Sequence, residues 1–339
     1  MTTVLVTGGS GFIGGWCALA LLEAGYDVRT TVRDLRREPA LRQQLHAAAE
    51  FADARLSVVA ADLQRDEGWA EAVAGCEYVL HVASPTLRNA PESEEAMIAA
   101  ARDGVLRVLR AARDAGVRRV VLTSALGAIA YGHAPRSTPF TEQDWTDVEA
   151  DIAPYQRSKT LAERAAWQFI QDEGGALELA AVHPGAVLGP VLGPDDPPSL
   201  RVIRGMLTGS LPACPPFGSG WVDVRDVADL HLRAMTDPAA AGERFLAVAG
   251  RSLRVAEVAR ILRDRLGPRA AKVSDREMPL LVARALSLVS PPLRALRPQL
   301  GRDFDATGAK AERVLGWKPR PIADTIAETA ESLLAHGLQ

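Results

Sequence analysis

Two residues with complementary acid–base chemistry, Tyr155 and Lys159, stand four apart in the stretch YQRSKTLAE. On a helix that spacing puts them on one face, about one turn apart. A phenol ordinarily holds its proton up to about pH 10, and a neighbouring ammonium favours the phenolate and brings the group toward working pH. Such a pair is suited to giving and taking a proton at an oxygen. Composition singles out the lysine. Lysine and arginine together number 39, yet only Lys159, Lys272, Lys310 and Lys318 are lysine. Where a generic cation suffices the chain uses arginine, so a lysine alone in the first 271 residues implies work for a compact ammonium rather than a planar guanidinium.

The other chemistry-bearing stretch lies at the start of the chain, Thr7-Gly8-Gly9-Ser10-Gly11-Phe12-Ile13-Gly14. Gly8 permits a tight strand-to-helix turn, Gly11 lets the backbone approach a pyrophosphate, and Gly14 lets the helix pack close to the strand. The unpaired N–H groups and positive dipole end of the helix then face the phosphates, with Thr7, Phe12 and Ile13 completing the turn. The dinucleotide is read from the end of the second strand, where an acid would hold the ribose hydroxyls of NAD. Arg33 occupies that place, and a guanidinium there pairs with the 2′-phosphate of NADP(H), with Arg36 and Arg37 adding charge. The alternative is that Arg33 is simply exposed and Asp34 is the ribose acid. Asp34 comes one residue late, and the two-residue period of a strand turns it away. Asp62 and Leu63 follow the third strand, where a carboxylate can accept the adenine amino group. Val82 ends the fourth strand, and Ala83 and Ser84, with Pro85, follow it and can pass under the nicotinamide ribose, whose hydroxyls the Lys159 ammonium can reach.

These groups need a framework that gathers strand ends. Short β-branched and apolar runs at 3–7, 27–32, 56–60, 78–82, 117–123 and 177–183 read as buried parallel strands. Amphipathic stretches at 12–24, 97–115 and 158–172 read as helices between them, and Gly25 and Gly116 sit just past two of these, where a left-handed cap needs glycine. The alternation predicts an α/β fold, a Rossmann-type doubly wound parallel sheet. After Pro184 the texture changes. Residues 189–220 are rich in Gly and Pro and read as long loops or a lid. Helical patterns return at 224–235, 255–266, 280–289 and 322–336. The predicted layout is an NADP-binding Rossmann domain over 1–185 that carries Tyr155 and Lys159. A smaller, partly helical C-terminal substrate lobe follows over 186–339, and the chain is free to cross back into the sheet. The stretch 278–289 (MPLLVARALSLV) is too short to span a bilayer. It reads as a helix covering the substrate pocket, with contact to a membrane surface as the alternative.

A formal charge of −3 on 339 residues gives no reason to expect nucleic acid or an anionic membrane as a global partner. Cys17, Cys76 and Cys214 have no metal-ligand or CxxC spacing, so no metal is expected, and an odd count of buried thiols suits a reducing cytoplasm. No basic segment followed by an apolar run opens the chain, so a secretory signal is not expected.

TGGSGFIGG, TVRD, AADL, HVASP, VVLTSA, YQRSKTLAE, HPGAVLGP, WVDVRDVADLHL and LGWKPR occur in the order found in extended short-chain dehydrogenases/reductases. Over roughly residues 3–320 the chain resembles the subgroup of dihydroflavonol 4-reductases, cinnamoyl-CoA reductases and aldehyde/ketone reductases. The resemblance implies hydride transfer from NADPH to a small carbonyl substrate, or the reverse from an alcohol, with Tyr155 as general acid and Lys159 holding the ribose. It places Pro184 and Gly185 as a wall against the nicotinamide, with Val187 beside it; His183 just before them reads as structural, with a catalytic histidine as the alternative. It also implies a hydroxyl after the fifth strand to orient the carbonyl, commonly the second of two serines. Here that second position is Ala125, so either Ser124 takes the role or the hydroxyl is missing. Two other readings stay open. One is a nucleotide-sugar epimerase or dehydratase of the same superfamily, which would favour an acid at position 33. The other is a non-catalytic NADP-sensing protein, which Ala125 favours and the Tyr155/Lys159 pair opposes. The sequence is compatible with a homodimer and names neither the substrate nor the stereochemistry.

Overall fold

In the computed structural model, which describes residues 2–84, 93–193 and 197–337, β-branched runs buried on both faces assemble as a parallel sheet. The strands are β1 (Thr3–Thr7), β2 (Asp27–Val32), β3 (Leu56–Ala60), β4 (Tyr78–His81), β5 (Arg119–Thr123), β6 (Glu178–Pro184) and β10 (Arg244–Ala247). Their order across the sheet is β10-β6-β5-β4-β1-β2-β3, and every pairing is parallel. The order reverses between β1 and β4, which leaves a crevice beyond the strand ends there. Val120 and Val121 on β5 are fully buried on opposite faces, as a sheet covered on both sides requires.

Helices α1 (Phe12–Glu23) and α7 (Val224–Thr236) pack together on one face, and α3 (Trp69–Val73), α4 (Glu94–Asp114) and α5 (Pro154–Glu173) cover the other. Gly25, just past α1, takes a left-handed φ of +93°, the conformation that ends a helix with least strain in glycine. The helix α2 (Glu38–Ala48) and strands β7 (Ala186–Leu188), β8 (Gly218–Ser219), β9 (Trp221–Asp223), β11 (Leu253–Arg254) and β12 (Asp303–Phe304) were not legible from the periodicity. β11, β8 and β12 form one small sheet and β7 pairs with β9. With α6 (Arg201–Thr208), α8 (Val255–Leu266) and α12 (Ile322–Ala335), most of these strands enclose a separate apolar core.

The crossing back that the sequence left open occurs: α7 and β10 return to the large sheet and Arg244–Ala247 pairs with Ala181–Pro184. Two sequence expectations are corrected. The stretch 189–220 is not wholly loop: α6 is an amphipathic helix burying Ile203, Met206 and Leu207. Residues 194–196 and Pro85 lie outside the described residues. Helix α5 begins at Pro154 rather than at 158, with proline in the first turn, where its missing N–H costs nothing. The stretch 278–289 forms α9 (Leu280–Leu286) on the surface, with Leu281 80% exposed and Val289 beyond it 75% exposed.

Two ties fix the C-terminal segments to the sheet. Trp317 is fully buried and donates from Nε1 to the Asp226 carbonyl at 2.9 Å, and Arg320 Nε donates to Asp226 Oδ1 at 3.0 Å. His231 Nε2 on α7 lies 2.7 Å from Thr123 Oγ1 at the end of β5.

Candidate active site

The turn after β1 is built from close backbone approaches. Gly8 has φ +72°, and a Cβ on Gly14 would stand 2.3 Å from the Gly8 carbonyl oxygen. Gly14 thus packs against the turn itself as much as against the strand. A Cβ on Gly9 would meet Thr30 Oγ1 at 2.1 Å. Two residues that the sequence reading missed hold this turn: Gly8 N donates to Thr31 Oγ1 and Gly9 N to Thr30 Oγ1, each at 3.0 Å. Thr-Thr before the last residue of the second strand was the available signal. Gly11 is exposed and opens α1 as its N-cap without a side-chain cap. The first N–H groups of α1 therefore remain available to an anion. The Gly9–Phe12 turn lines a cleft of about 380 Å³ with Gln44 on α2 and Leu192. Ile13 and Phe12 pack partly into the core.

Thr7 has no exposed atom. Its Oγ1 lies 2.9 Å from His81 Nδ1 and accepts from Ala83 N at 2.9 Å. It braces β1 against the end of β4, behind the glycine turn. Arg33 is exposed at the end of β2. Asp34 is engaged: its Oδ1 accepts from Arg36 N and Nε at 3.0 Å, and the Arg36 pairing holds its carboxyl down at about 2. Asp34 caps the turn leading to α2. Asp62 Oδ1 accepts from Gln64 N at 3.0 Å and the residue is half-buried. Leu63 packs on Gly104 of α4.

The second cleft, of about 340 Å³, brings together Leu63, Ala83, Ser84, Ser124 and Lys159 from four different segments, with His81 at its wall. Val82 is half-buried beside it. Lys159 Nζ donates to the Thr123 carbonyl at 3.0 Å. Burial lowers its pKa to about 8 despite the nearby Glu163 carboxylate. Tyr155, half-buried one turn earlier on α5, has its phenol pushed up by burial. His81 is pushed down to about 3 by burial and by the Lys159 charge, so it stays neutral at ordinary pH.

Beneath Lys159 lies a buried polar network absent from the sequence reading. Glu163, one further turn along α5, accepts from Ser124 Oγ at 2.5 Å and Arg244 Nε at 2.8 Å, and pairs with His183 Nε2 at 2.7 Å. Burial alone would raise its pKa, but His183, Arg244 and the Ser124 hydroxyl outweigh it and bring it down to about 2. The Arg244 guanidinium also stacks on Trp145 at 3.7 Å. The i+4, i+8 spacing of Tyr155, Lys159 and Glu163 was the signal that could have found Glu163. Ser124 thus lines the cleft beside Lys159 while its hydroxyl donates to Glu163. Ala125, the next residue along an extended backbone, is 9% exposed and faces the other side. At the end of β6, Pro184 and Val187 are buried, and a Cβ on Gly185 would meet the Gly220 carbonyl at 2.3 Å. This turn packs tightly against residues 220–221.

The order of strands and the glycine turn define a Rossmann-type protein of the doubly wound kind. The sequence pattern described as the NAD dependent epimerase/dehydratase family matches residues 4–248, and the chain belongs to that family, among the extended short-chain dehydrogenases/reductases. It is 34% identical over 267 residues to a cinnamoyl-CoA reductase of Medicago truncatula, covering 77% of this chain and 80% of that protein. It is 35% identical over 275 residues to a dihydroflavonol 4-reductase of Zea mays, covering 78% and 74%. In three dimensions it is similar to the yeast methylglyoxal/isovaleraldehyde reductase complexed with NADPH, with a TM-score of 0.80, 24% identity and 99% of each chain covered.

Proposed function

We propose that this chain is an NADPH-dependent reductase of a small aldehyde or ketone, working in reverse as an alcohol dehydrogenase. The observation that carries this reading is Lys159: a half-buried ammonium, anchored at 3.0 Å to the carbonyl that ends β5 and one helical turn from Tyr155, in a cleft shared with Ala83 and Ser84. Its relatives by sequence are named as reductases, which supports the same chemistry.

The Gly8–Gly14 turn and the free N–H groups of α1 suit a pyrophosphate, and exposed Arg33 suits a 2′-phosphate. NADPH supplies the hydride when bound. Lys159, with its charge retained at neutral pH, holds ribose hydroxyls and stabilises the Tyr155 phenolate. Tyr155 gives its proton to the carbonyl oxygen as the alcohol forms and takes one back in the reverse direction. Ser84 and Ala83 would border the ribose, and the Pro184–Gly185 turn with Val187 would limit the space on the far side. Glu163, Ser124, His183 and Arg244 keep the end of β5 in place beneath Lys159 rather than touching substrate.

The description of the matched family favours a second reading, a nucleotide-sugar epimerase or dehydratase. Arg33 opposes it, since retention of NAD calls for an acid at that position. Following NADPH absorbance against a panel of aldehydes, β-ketoesters and aryl ketones tests the proposal. Turnover of a carbonyl that Tyr155→Phe abolishes supports it. Conversion of a nucleotide sugar without net NADPH consumption would replace it with the second reading.

A further inference from the structure

Six large hydrophobic side chains are exposed among the described residues, and five of them, Leu281, Val282, Leu286, Leu288 and Val289, lie within nine residues of one another. They belong to α9 and the turn after it, which packs against α10 (Pro291–Leu296) as a short helical hairpin. Ala283 and Ser287 are the fully buried residues of this segment, at 0% and 1% exposure, with Leu300 seated at the hairpin's base. A contiguous exposed patch of this kind marks a surface that meets something.

The charge around it is one-sided. From Met278 to Arg302 the sequence holds Arg284, Arg294, Arg297 and Arg302 and no aspartate or glutamate, in a chain that has 42 acids. All four arginines are exposed. The acids flanking the hairpin do not offset them. Glu277 and Asp303 both pair with Arg254, at 2.8 and 2.7 Å. An exposed aliphatic patch, on a segment whose arginines have no acid partner among the described residues, complements a surface that is apolar inside and anionic at its face.

We propose that the α9–α10 hairpin docks on the surface of an anionic lipid bilayer, with Leu281, Val282, Leu286, Leu288 and Val289 entering the headgroup boundary and the arginines meeting lipid phosphates. A second copy of this chain fits less well, because a two-fold contact through this patch would set arginines against arginines. Folding the hairpin inward as a lid would take Arg284 and Arg297 from water with no acid on the hairpin to receive them. The contact is peripheral, since no helix among the described residues is long and apolar enough to cross a membrane.

The test is sedimentation of the full chain with phosphatidylcholine vesicles, with and without phosphatidylglycerol. Binding is expected only to the anionic vesicles and weakens with added salt. Leu281→Asp with Val289→Asp removes it, and Arg284→Gln with Arg297→Gln weakens it by on the order of thirtyfold. Both pairs of changes lie on the exposed face, and an unchanged melting temperature shows that the fold is kept. No sedimentation with anionic vesicles, or sedimentation indifferent to both variants, would overturn the proposal. So would a solution dimer that Leu281→Asp with Val289→Asp dissolves, which would assign the patch to a second copy.

Discussion

The hydroxyl of Ser124 donates to the buried carboxylate of Glu163 at 2.5 Å. Both residues are at most 5% exposed, and the bond joins the end of β5 to the helix that carries Tyr155 and Lys159. It commits the hydroxyl of the first serine after β5 to Glu163. Ser124→Ala should therefore cost stability, about 1.5–3 kcal/mol for a hydrogen bond to a charged group, while leaving kcat within a few-fold. Thermal unfolding and steady-state kinetics of the one variant read both. A severe loss of kcat with an unchanged melting temperature would mean that Ser124 acts on the substrate after all.

Ala125→Ser is the complementary change. Ala125 faces opposite to Ser124 on an extended backbone, and the added hydroxyl would give the carbonyl oxygen one more donor as charge develops. Removing such a donor elsewhere costs about 10²–10³-fold, so a gain of about tenfold is a moderate expectation for a site adapted to alanine. Carbonyl-dependent NADPH oxidation measures it. A silent or harmful substitution would show that the site is complete or crowded without that hydroxyl.

Tyr155→Phe should lower turnover by about 10²–10⁴-fold, the usual contribution of a positioned proton donor. NADPH affinity, read by fluorescence titration, should hardly change, because the ring stays and Lys159 keeps its anchor on Thr123. Unimpaired turnover would remove the tyrosine from the mechanism.

The charge on Lys159 sets an alkaline limit. Burial lowers its pKa from 10.5 to about 8, so it is protonated at neutral pH and loses its charge as pH rises through about 8. Reduction should decline over that interval, as both the phenolate and the ribose lose a cation. A kcat profile flat to pH 10 would separate the lysine from the rate.

Arg33→Ala should erode a preference for NADP(H) over NAD(H). One charge-assisted pair is worth about 1.5–3 kcal/mol, or roughly 10–150-fold in the ratio of kcat/KM values. Asp34 is already taken by Arg36, so the variant should lose NADP(H) without gaining much for NAD(H). Equal turnover with both cofactors before mutation would sink the idea.

Glu163 is a buried source of acid sensitivity in the fold. Its pKa falls from 4.5 unfolded to about 2 folded, so its stabilisation is fully present above about pH 4.5 and is lost as pH falls from there through about 2. Glu163→Gln leaves Arg244 and His183 without their anion and should cost about 3–5 kcal/mol. Urea unfolding at neutral pH and at pH 3 should show the gap between variant and parent narrowing in acid.

The local patterns carried much of this protein by themselves. Alternating strand and helix periods located six strands of the large sheet, because a strand buried on both faces must be apolar throughout. The glycine spacing marked the turn, because only a residue without Cβ tolerates an approach like that of Gly14 to the Gly8 carbonyl. Tyr155 and Lys159 were legible as a pair because four residues make one helical turn. What lay between distant segments was not legible. β10 joins the sheet through a crossover of about sixty residues after β6, and nothing in Arg244–Ala247 alone says which edge it takes. Thr30 and Thr31 matter only because they reach the Gly8–Gly9 turn from the neighbouring strand. Glu163, His183 and Arg244 are ordinary residues in three separate elements until packing excludes water around them. A buried charge must then find partners, and that requirement, imposed by the tertiary structure, turned Ser124 toward Glu163.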